Sequence, residues 1–359
     1  MNTMLGQKQG LLRLVILTLA VFFLACSGRG KKAEEIDNRP SFYSKLSSIT
    51  DLSVTISTDY DQLIYNKGED EDIYQEATMT VFNGSEARII SNVLIRPRGV
   101  TRRSLCDFPP LMIKIQKKER KKLDIKKSDN IKLVSFCKDD VNFGNLVMKE
   151  YLIYKLYNIL TDTSYNVKLA HVTVKDTLNN IKISDQFAFL IEPTDDMARR
   201  LGCIYDEKDS SPVKKIHKEQ YKNFVVFQYM VGNTDWNLSG RHNIRMLECN
   251  SINGPKPVPY DFDYSGLVNA GYAKPHPMLP IKKVTERLFQ FRGPAKEDFS
   301  ATYTTFKLKK SEFYAVINDF PHLDKNMKSE MISFLNEFYT NISNPEIMMA
   351  EIMKVRKKK

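Results

Sequence analysis

Several residue types that mark common functional sites are scarce in this sequence. The 359 residues include five cysteines, five histidines and a single tryptophan. The cysteine spacing matches no zinc site, and no HExxH, CxxC or GxGxxG motif occurs. No serine, histidine and aspartate arrangement for nucleophilic catalysis is visible either. These absences argue against the commonest zinc, thiol and serine-hydrolase sites, and they leave clustered carboxylates as the main candidates.

Long apolar runs are also scarce, and the clearest one lies near the start of the chain. It spans Leu14 to Leu24, follows Lys8 and Arg13, and is too short for a stable membrane span. Such a pattern is typical of a secretory signal peptide. The run leads into Leu24-Ala25-Cys26-Ser27. This motif resembles the lipobox of bacterial lipoproteins, in which the cysteine becomes the lipid-bearing first residue of the mature chain.

The resemblance to a lipobox implies a cellular location and the boundaries of the N-terminal segments. Residues 1–25 would be the signal peptide, and Cys26 would carry the lipid. Residues 26–50 would form a flexible tether, because they have little apolar content. The protein is then expected in the bacterial cell envelope, lipid-anchored to a membrane and facing the periplasm or the exterior. An uncleaved N-terminal anchor is the alternative.

The chain is basic, with a formal net charge of +11 at pH 7. Removal of residues 1–25 takes away two basic residues and no acidic ones, which leaves +9. A positive balance favours acidic partners such as anionic lipid surfaces, nucleotides or acidic glycans, and nucleic acid is not expected outside the cytoplasm. Four further cysteines could form two disulfides by any of three pairings, or remain buried thiols. They are Cys106, Cys137, Cys203 and Cys249.

The predicted elements follow the order sheet, one helix, more sheet and then helices. Alternating apolar residues predict strands over 52–57, 76–82, 92–99, 111–115, 130–134, 170–174 and 186–191. The lysine-rich run Lys117–Lys122 is predicted to be a solvated loop between two of them. Apolar spacing predicts helices over 148–159, 217–231, 281–291, 309–319 and 328–342, and a basic C-terminal helix over 344–359.

One stretch, residues 232–266, holds most of the candidate chemistry. It contains the only tryptophan, four glycines, five asparagines and three aspartates. Asp235 lies near its start, whereas Asp261 and Asp263 lie near its end, and a predicted β-hairpin separates them. Such a hairpin would bring the carboxylates to one end, where they could hold a divalent metal with bound phosphates. Aspartates that only cap turns are the alternative.

Four pieces of the sequence are similar to the spore-coat protein H (CotH) kinases, which are secreted atypical protein kinases. They are Arg96-Pro97-Arg98-Gly99, Lys114 in the strand that follows, Gly232-Asn233-Thr234-Asp235-Trp236, and Tyr260-Asp261-Phe262-Asp263. The resemblance covers about residues 90–270. Its specific part is the two aspartate motifs, since an Arg-Gly turn and a strand lysine occur widely.

The resemblance implies a fold as well as a chemistry. The CotH kinase-like domain would span 51–343 and belong to the α+β class, with an atypical protein-kinase-like two-lobed fold. A β-rich N-lobe would cover about 51–195, and an α-rich C-lobe would cover about 196–343. The nucleotide would lie in the cleft between these lobes.

The resemblance also implies the residues that would act on the acceptor and the metal. Asp235 would orient the hydroxyl nucleophile and accept its proton. Asp261 and Asn243 would hold the metal that bridges the nucleotide phosphates, and Asp263 would bind a second metal or fix the loop. Position 240, where ordinary protein kinases have the metal asparagine, is a glycine. Asn243 is therefore preferred, because it lies at the start of the predicted strand.

Three further residues would bind the nucleotide if the resemblance holds. Lys114 would neutralise the α- and β-phosphates and be braced by Glu150 of the first long helix. Arg98 would contact a phosphate, since a planar guanidinium can bind phosphate oxygens in pairs. The expected cofactors are ATP with Mg²⁺ or Mn²⁺.

Three functions remain open from the sequence. The first is an exported, lipid-anchored kinase-like protein that transfers the γ-phosphate of a nucleotide to a hydroxyl of a protein or glycan. The second is an inactive envelope lipoprotein that binds a cation, Ca²⁺ for example, or an acidic ligand with the same aspartates. The third is a structural component of a surface complex, in which the hairpin only packs in the core.

Overall fold

The structure is a computed structural model of the chain. It describes residues 37–68, 72–128, 130–138, 140–207, 215–249 and 253–355. The chain divides into two units, 1–39 and 40–359, and the barrel, the helices and the candidate site belong to the second. The predicted signal peptide and Cys26 lie outside the described residues.

Seven strands form a closed barrel. In chain order they are β1 (Leu52–Thr58), β2 (Gln75–Asn83), β3 (Glu86–Pro97), β4 (Leu111–Ile115), β5 (Ile131–Val134), β6 (Val167–Asp176) and β7 (Lys182–Ile191). Around the barrel the order is β1, β2, β3, β4, β5, β7, β6. The ring closes where β6 pairs in parallel with β1, and the other pairs are antiparallel.

The barrel strands alternate apolar and polar side chains. β1 buries Leu52, Val54 and Ile56 and leaves the residues between them half-buried. Because successive residues of a strand point to opposite faces, this pattern places one apolar set inside the barrel. Each of the seven runs that alternation predicts as strand overlaps one barrel strand, so these predictions are confirmed.

Eleven helices occur among the described residues. Five precede or interrupt the barrel: α1 (Phe42–Ser47), α2 (Tyr60–Gly68), α3 (Thr101–Leu105), α4 (Lys117–Lys122) and α5 (Val141–Leu160). Six follow it: α6 (Thr194–Arg200), α7 (Lys218–Val231), α8 (Ser300–Leu308), α9 (Lys310–Asn318), α10 (Lys325–Ile342) and α11 (Pro345–Lys354). Between α7 and α8 lies a β-hairpin of β8 (Ile244–Leu247) and β9 (Lys256–Pro259).

Two buried clusters hold this unit together. The first fills the barrel and includes Val54, Ile95 and Leu133. The second joins α5 to the helices that follow the barrel, and it also takes in Phe189 of β7. The long helix α5 therefore shares its core with the later helices and packs against the outside of the barrel wall.

The predicted two-lobed kinase-like fold is wrong. The strands close into a barrel with helices packed on it, and α5, from the predicted N-lobe of 51–195, shares a core with helices of the predicted C-lobe of 196–343. Closure depends on long-range pairs such as Val54 opposite Val172. Local alternation predicts that a strand exists, but it does not specify which distant strand becomes its neighbour.

The compact unit begins before the predicted end of the tether. α1 lies within the range 26–50 that composition predicts as flexible, yet it buries Phe42, Tyr43 and Leu46. The tether prediction therefore fails from Pro40 onward. Three apolar side chains in a single short helix are too few to raise the average hydrophobicity of a 25-residue window, which is why composition missed them.

Two other local predictions are also incorrect. Lys117–Lys122 is the short helix α4, and it buries Glu119, instead of being a solvated loop. Residues 281–291 are not helical. There Arg287 is buried and donates to the backbone carbonyl of Met230, so tertiary contacts determine the conformation in place of the helical apolar spacing.

Two disulfides fasten segments that border the candidate site. Cys106, directly after α3, is bonded to Cys137 in the loop after β5. Cys203, after α6, is bonded to Cys249, just beyond β8. This connectivity is one of the three that the sequence allowed.

Candidate active site

The β8–β9 hairpin presents both aspartate motifs at its open end. Ile244 lies opposite Pro259, and the N–H of Tyr260 donates to the carbonyl oxygen of Asn243 at 3.1 Å. The loop 233–243 enters the hairpin at this end, and Asp261 leaves it there. The predicted hairpin is therefore confirmed, and it brings the start and the end of the aspartate-rich stretch together.

The carboxylate of Asp235 is held from two sides. His242 Nε2 lies 3.1 Å from its Oδ1, and Asn243 Nδ2 donates to its Oδ2 at 3.0 Å. Asn233 Oδ1 fixes the backbone by accepting from the N–H of Asp235 at 3.0 Å. The Asp235 side chain is still 38% exposed. These contacts orient a carboxylate that a ligand can reach from solvent, as a general base requires.

Left-handed backbone conformations concentrate in the same place. Arg241, Asn243 and Asp261 have φ angles of 50°, 53° and 64°, which non-glycine residues seldom adopt. Tertiary contacts hold two of them: the Asn243 amide is bonded to Asp235, and the N–H of Asp261 donates to Tyr154 Oη at 2.9 Å. The direction of both side chains is therefore set by their surroundings.

Asp261 carries an unpaired carboxylate. The residue is half-buried and precedes Phe262, which is fully buried against Tyr154. Within the described parts of the chain, no side chain or N–H donates to its carboxylate oxygens and no cation forms an ion pair with them. A half-buried carboxylate without a partner is costly unless a ligand supplies the missing charge.

Asp263 has a different environment, a buried ionic network. Its Oδ2 accepts from Tyr272 Oη at 3.0 Å and lies 3.2 Å from Arg102 Nε. Arg102 Nη2 donates in turn to Glu150 Oε2 at 2.8 Å. Arg102, Glu150 and Asp263 are all buried. This network joins α3, α5 and the segment after β9, so Asp263 is more suited to fixing the loop than to binding a second metal.

The network does not fully compensate for the burial of its acids. Burial raises the pKa of Glu150 to about 7, with Arg102 opposing and Asp263 and Asp261 adding to the shift. Burial likewise raises the pKa of Asp263, again with Arg102 opposing. Glu150 Oε1 is buried and finds no hydrogen-bond partner among the residues described. Negative charge is therefore in excess at this point of the site.

Three basic residues lie around Tyr260, which precedes Asp261. Lys132 of β5 places its Nζ 4.5 Å from the centre of the Tyr260 ring, and Arg245 of β8 lies over the same ring at 4.5 Å. Burial, helped by the positive charges of Arg98 and Arg245 and opposed by Asp261 and Glu207, lowers the pKa of Lys132 to about 7. No ion pair or hydrogen bond to Lys132 Nζ or to the Arg98 guanidinium occurs in the described ranges. These two cations can therefore receive an anionic ligand.

Two cavities border these groups. A small one of about 120 Å³ contains Lys132 and Arg245 in its wall, together with Glu192 and Thr194 from the segment after β7. A much larger, open one of about 1180 Å³ has Asp235 and His242 in its wall. The small cavity also has Glu207 in its wall, so two acids accompany its two basic residues. Of the aspartates in the two motifs, Asp235 lines the wide cavity.

The structure separates the predicted site residues into two groups. The first group begins with Asp235, which is hydrogen-bonded to Asn243, whose carbonyl accepts from the residue before Asp261. Asp263 and Glu150 belong to it through Arg102, and Arg98 lowers the pKa of Lys132. Lys114 does not join them. It is exposed on β4, with Nζ over the ring of Tyr74 at 5.3 Å, and Glu150 is paired with Arg102 instead. Cys26 lies outside the described residues.

Sequence reasoning missed Lys132 and Arg102. Lys132 lies within the apolar run Ile131–Val134. A lysine inside a short buried strand is unusual and could have indicated a functional residue. Arg102 follows the quoted Arg-Gly turn by three residues, in a polar stretch that had no apparent partner. Only the fold brings this stretch to Glu150 of α5 and to Asp263.

The donor set fits magnesium bound together with phosphates. In the described ranges, no group of three or more histidine, cysteine, aspartate or glutamate side chains is placed to hold a metal ion. Mg²⁺ needs only one or two carboxylates and fills its other positions with phosphate oxygens and water, whereas Ca²⁺ takes six to eight oxygens. The unpaired carboxylate of Asp261 and the Oδ1 of Asn243 meet the smaller requirement.

Comparison with known protein families found no match, and comparison with curated proteins found none either. No described helix combines the length and the apolar composition that a membrane crossing requires. The resemblance to the CotH kinases therefore remains a prediction based on the two aspartate motifs.

Proposed function

We propose that this protein is a metal-dependent phosphotransferase that moves the γ-phosphate of ATP to a hydroxyl of an acceptor molecule. One observation carries the proposal: Asp261, Arg98 and Lys132 have no charged partner among the described residues, and both Asp261 and Arg98 act on the pKa of Lys132. The residue before Asp261 is hydrogen-bonded to Asn243, which holds the carboxylate of Asp235. An unpaired carboxylate beside unpaired cations suits a ligand that carries both positive and negative charge. A nucleoside triphosphate with its bound metal ion is such a ligand.

The chain would supply the base and the positive charge. The Asp235 carboxylate accepts the proton of the acceptor hydroxyl as the hydroxyl oxygen bonds to the γ-phosphorus. The bond from that phosphorus to the β–γ bridging oxygen breaks, and ADP leaves with the electron pair. His242 and Asn243 keep Asp235 in position throughout. Lys132 and Arg98 offset the negative charge of the phosphate oxygens.

A divalent metal fits this reaction. Asp261 and the Oδ1 of Asn243 would hold Mg²⁺ or Mn²⁺, and the bound metal would neutralise charge on the phosphate oxygens. Asp263 fixes the loop through Arg102 and Tyr272. A dedicated Ca²⁺ site is less well supported, because only the Asp261 carboxylate lacks a partner among the three aspartates.

The sequence resemblances supply the rest of the proposal. The CotH-like aspartate motifs, Gly232–Trp236 and Tyr260–Asp263, support phosphoryl transfer to a protein or glycan hydroxyl. The lipobox-like motif ending at Cys26 supports a lipid-anchored protein of the bacterial envelope. The kinase-like two-lobed fold is not part of this proposal.

The first test is stabilisation by MgATP, using the two lysines as a matched pair. Lys132→Met and Asp261→Asn should each weaken MgATP binding by about tenfold or more, because each removes a charge-assisted contact. Lys114→Met should leave binding unchanged, since Lys114 is exposed on β4. Thermal shift against MgATP concentration measures all three. Equal loss in both lysine variants, or stabilisation of the wild type by Ca²⁺ but not by MgATP, would contradict the proposal.

The second test is transfer itself. Pure protein is incubated with ATP labelled at the γ-phosphate and with Mg²⁺ or Mn²⁺, and label on the protein or on added acceptors is measured. Asp235→Asn should abolish the label while retaining MgATP stabilisation, because this change removes the base but leaves an amide oxygen that can still accept from Asn243. Label that persists in Asp235→Asn would show that another group accepts the proton.

A further inference from the structure

We infer that the 1180 Å³ cavity beside Asp235 binds an extended peptide, which presents the acceptor hydroxyl to Asp235 and an acidic side chain to Arg292. The inference rests on the proposed function, whose acceptor could be a protein or a glycan. The inference selects a protein acceptor over a glycan and adds a preference for acidic residues near the acceptor hydroxyl.

The first argument is size and position. Pockets for small molecules usually hold about 300–1,000 Å³, and this open cavity exceeds that range. Its wall includes Asp235 and His242 but neither Asp261 nor Lys132, and Lys132 lines the small cavity instead. Asp235 can therefore be reached from the cavity while the phosphates occupy the other side, and the room available suits several residues of a polymer.

The second argument is the chemistry of the wall. Leu238, Met278, Leu279 and Val355 line it with aliphatic surface, which suits the side chains of a peptide. A glycan would instead need a broad aromatic face on which a sugar ring can lie. The two aromatic residues of the wall do not offer one: Trp236 is only 7% exposed, and Phe291 packs against Tyr221 and Phe299.

The third argument is charge. Among the residues that line the cavity, Asp235 is the sole acid, and it is already paired with His242. Arg292 is the one permanently charged cation among these lining residues, and His276 is a further basic group besides His242. Ser239 Oγ accepts from Arg292 Nη1. Because a guanidinium has five N–H donors, Arg292 can bind a carboxylate as well.

The test is direct binding of fluorescent serine peptides to the mature full chain without nucleotide. Three peptides share a serine next to leucine and differ only in the following residues, which are aspartates, asparagines or lysines. Fluorescence anisotropy should show the acidic peptide binding about tenfold or more tighter than the basic one, as expected for a charge-assisted contact. The preference should weaken at high salt.

Variants connect this preference to the cavity. Arg292→Gln should remove most of the preference, and Leu279→Asp should weaken binding of all three peptides. Lys307→Gln is the matched control, because Lys307 is exposed on α8 and its side chain has no hydrogen bond or ion pair within the described residues. It should change nothing. Melting temperatures near that of the wild type establish that each variant is folded.

Three results would overturn the inference: peptide binding that ignores charge, an Arg292→Gln variant with the full preference, or oligosaccharides that bind while the peptides do not. Because no nucleotide is present, these failures are distinct from failure of the phosphotransferase proposal. That proposal fails when MgATP does not bind, whatever the peptides do.

Discussion

The buried charges of the site must remain paired for the chain to stay folded. Arg102 faces both Glu150 and Asp263, and its Nε and Nη2 are directed to different acids. A buried ion pair contributes little net stability over apolar residues of the same size, but loss of one partner leaves an uncompensated charge. The contacts of Arg102 are therefore a place where a single change should have a large effect.

We expect Arg102→Met to lower the free energy of unfolding by about 3–5 kcal/mol. The loss should be larger at pH 8 than at pH 5. Glu150 already has a raised pKa of about 7, and without Arg102 its folded pKa rises further, so stability falls as pH increases and the unfolded state releases the proton more readily. Urea unfolding at the two pH values measures this difference.

The control for that experiment is the double variant. Glu150→Gln removes the carboxylate that Arg102→Met leaves without a partner. The double variant should therefore recover a large part of the stability that Arg102→Met alone loses. A double variant whose losses simply add would show that Arg102 acts through packing alone.

Nucleotide affinity should depend on pH through Lys132. Its pKa is lowered to about 7, so the charge that would meet a phosphate is lost as pH rises above 7. MgATP affinity should fall by up to about tenfold per pH unit between pH 7 and 9. Calorimetry across this range measures the slope. Lys132→Arg should flatten it, because guanidinium stays charged, and identical slopes in the two proteins would exclude Lys132.

Unusual local composition is what makes the candidate site visible in the sequence. The aspartates and asparagines of 232–266 stand out because strands and helices rarely concentrate them, and the fold brings Asp235, Asn243 and Asp261 together. The structure favours Lys132 over the predicted Lys114 as a nucleotide lysine, and local sequence could not indicate this. Many strands carry a lysine, and only the barrel register and the position of β5 bring Lys132 to the site.

At the scale of elements, helix ends were easier to predict than tertiary partners. α7 ends at Val231, and Gly232 after it adopts the left-handed conformation expected beyond a helix. Gly232 also approaches Gly266, whose N–H donates to the Gly232 carbonyl at 3.0 Å. The end of α7 is thereby tied to the segment that follows Asp263, and this contact keeps the loop 233–243 beside the aspartates.

Gly232→Ala should destabilise the protein by about 1–2 kcal/mol, because a left-handed φ is unfavourable for alanine. The added Cβ would also lie 2.9 Å from Phe334 Cζ. Gly271→Ala is the matched control, since a Cβ there meets nothing within 4 Å and its φ is ordinary. Thermal unfolding compares the two. An equal effect at both positions would mean that the conformation of Gly232 is not required.

At the scale of the whole molecule, barrel closure lies beyond what the sequence pattern specifies. Each barrel strand is visible from its own alternation, yet the order that places β7 between β5 and β6 depends on contacts between distant segments. Helix α5 illustrates the same limit. Its apolar face is evident in the sequence, but nothing local indicates that it joins the core of the later helices.

The lipobox-like motif leads to a prediction for the whole protein. Cys26→Ser should release the protein from the membrane fraction, because the residue expected to carry the lipid is lost. Ser27→Ala should leave it membrane-bound and serves as the control for a change at the same place. Fractionation of cells followed by immunodetection measures both. Membrane association of Cys26→Ser equal to that of the wild type would favour the uncleaved anchor.

The parallel pairing of β1 with β6 has a consequence for biosynthesis. Ser53 of β1 cannot pair with His171 of β6 until His171 has been synthesised. At roughly 5–20 residues per second, translation from one to the other takes on the order of ten seconds. Throughout that interval the nascent β1 has one edge without its neighbour, which exposes it to aggregation. Nascent fragments that stop before residue 167 should therefore depend on chaperones to remain in solution.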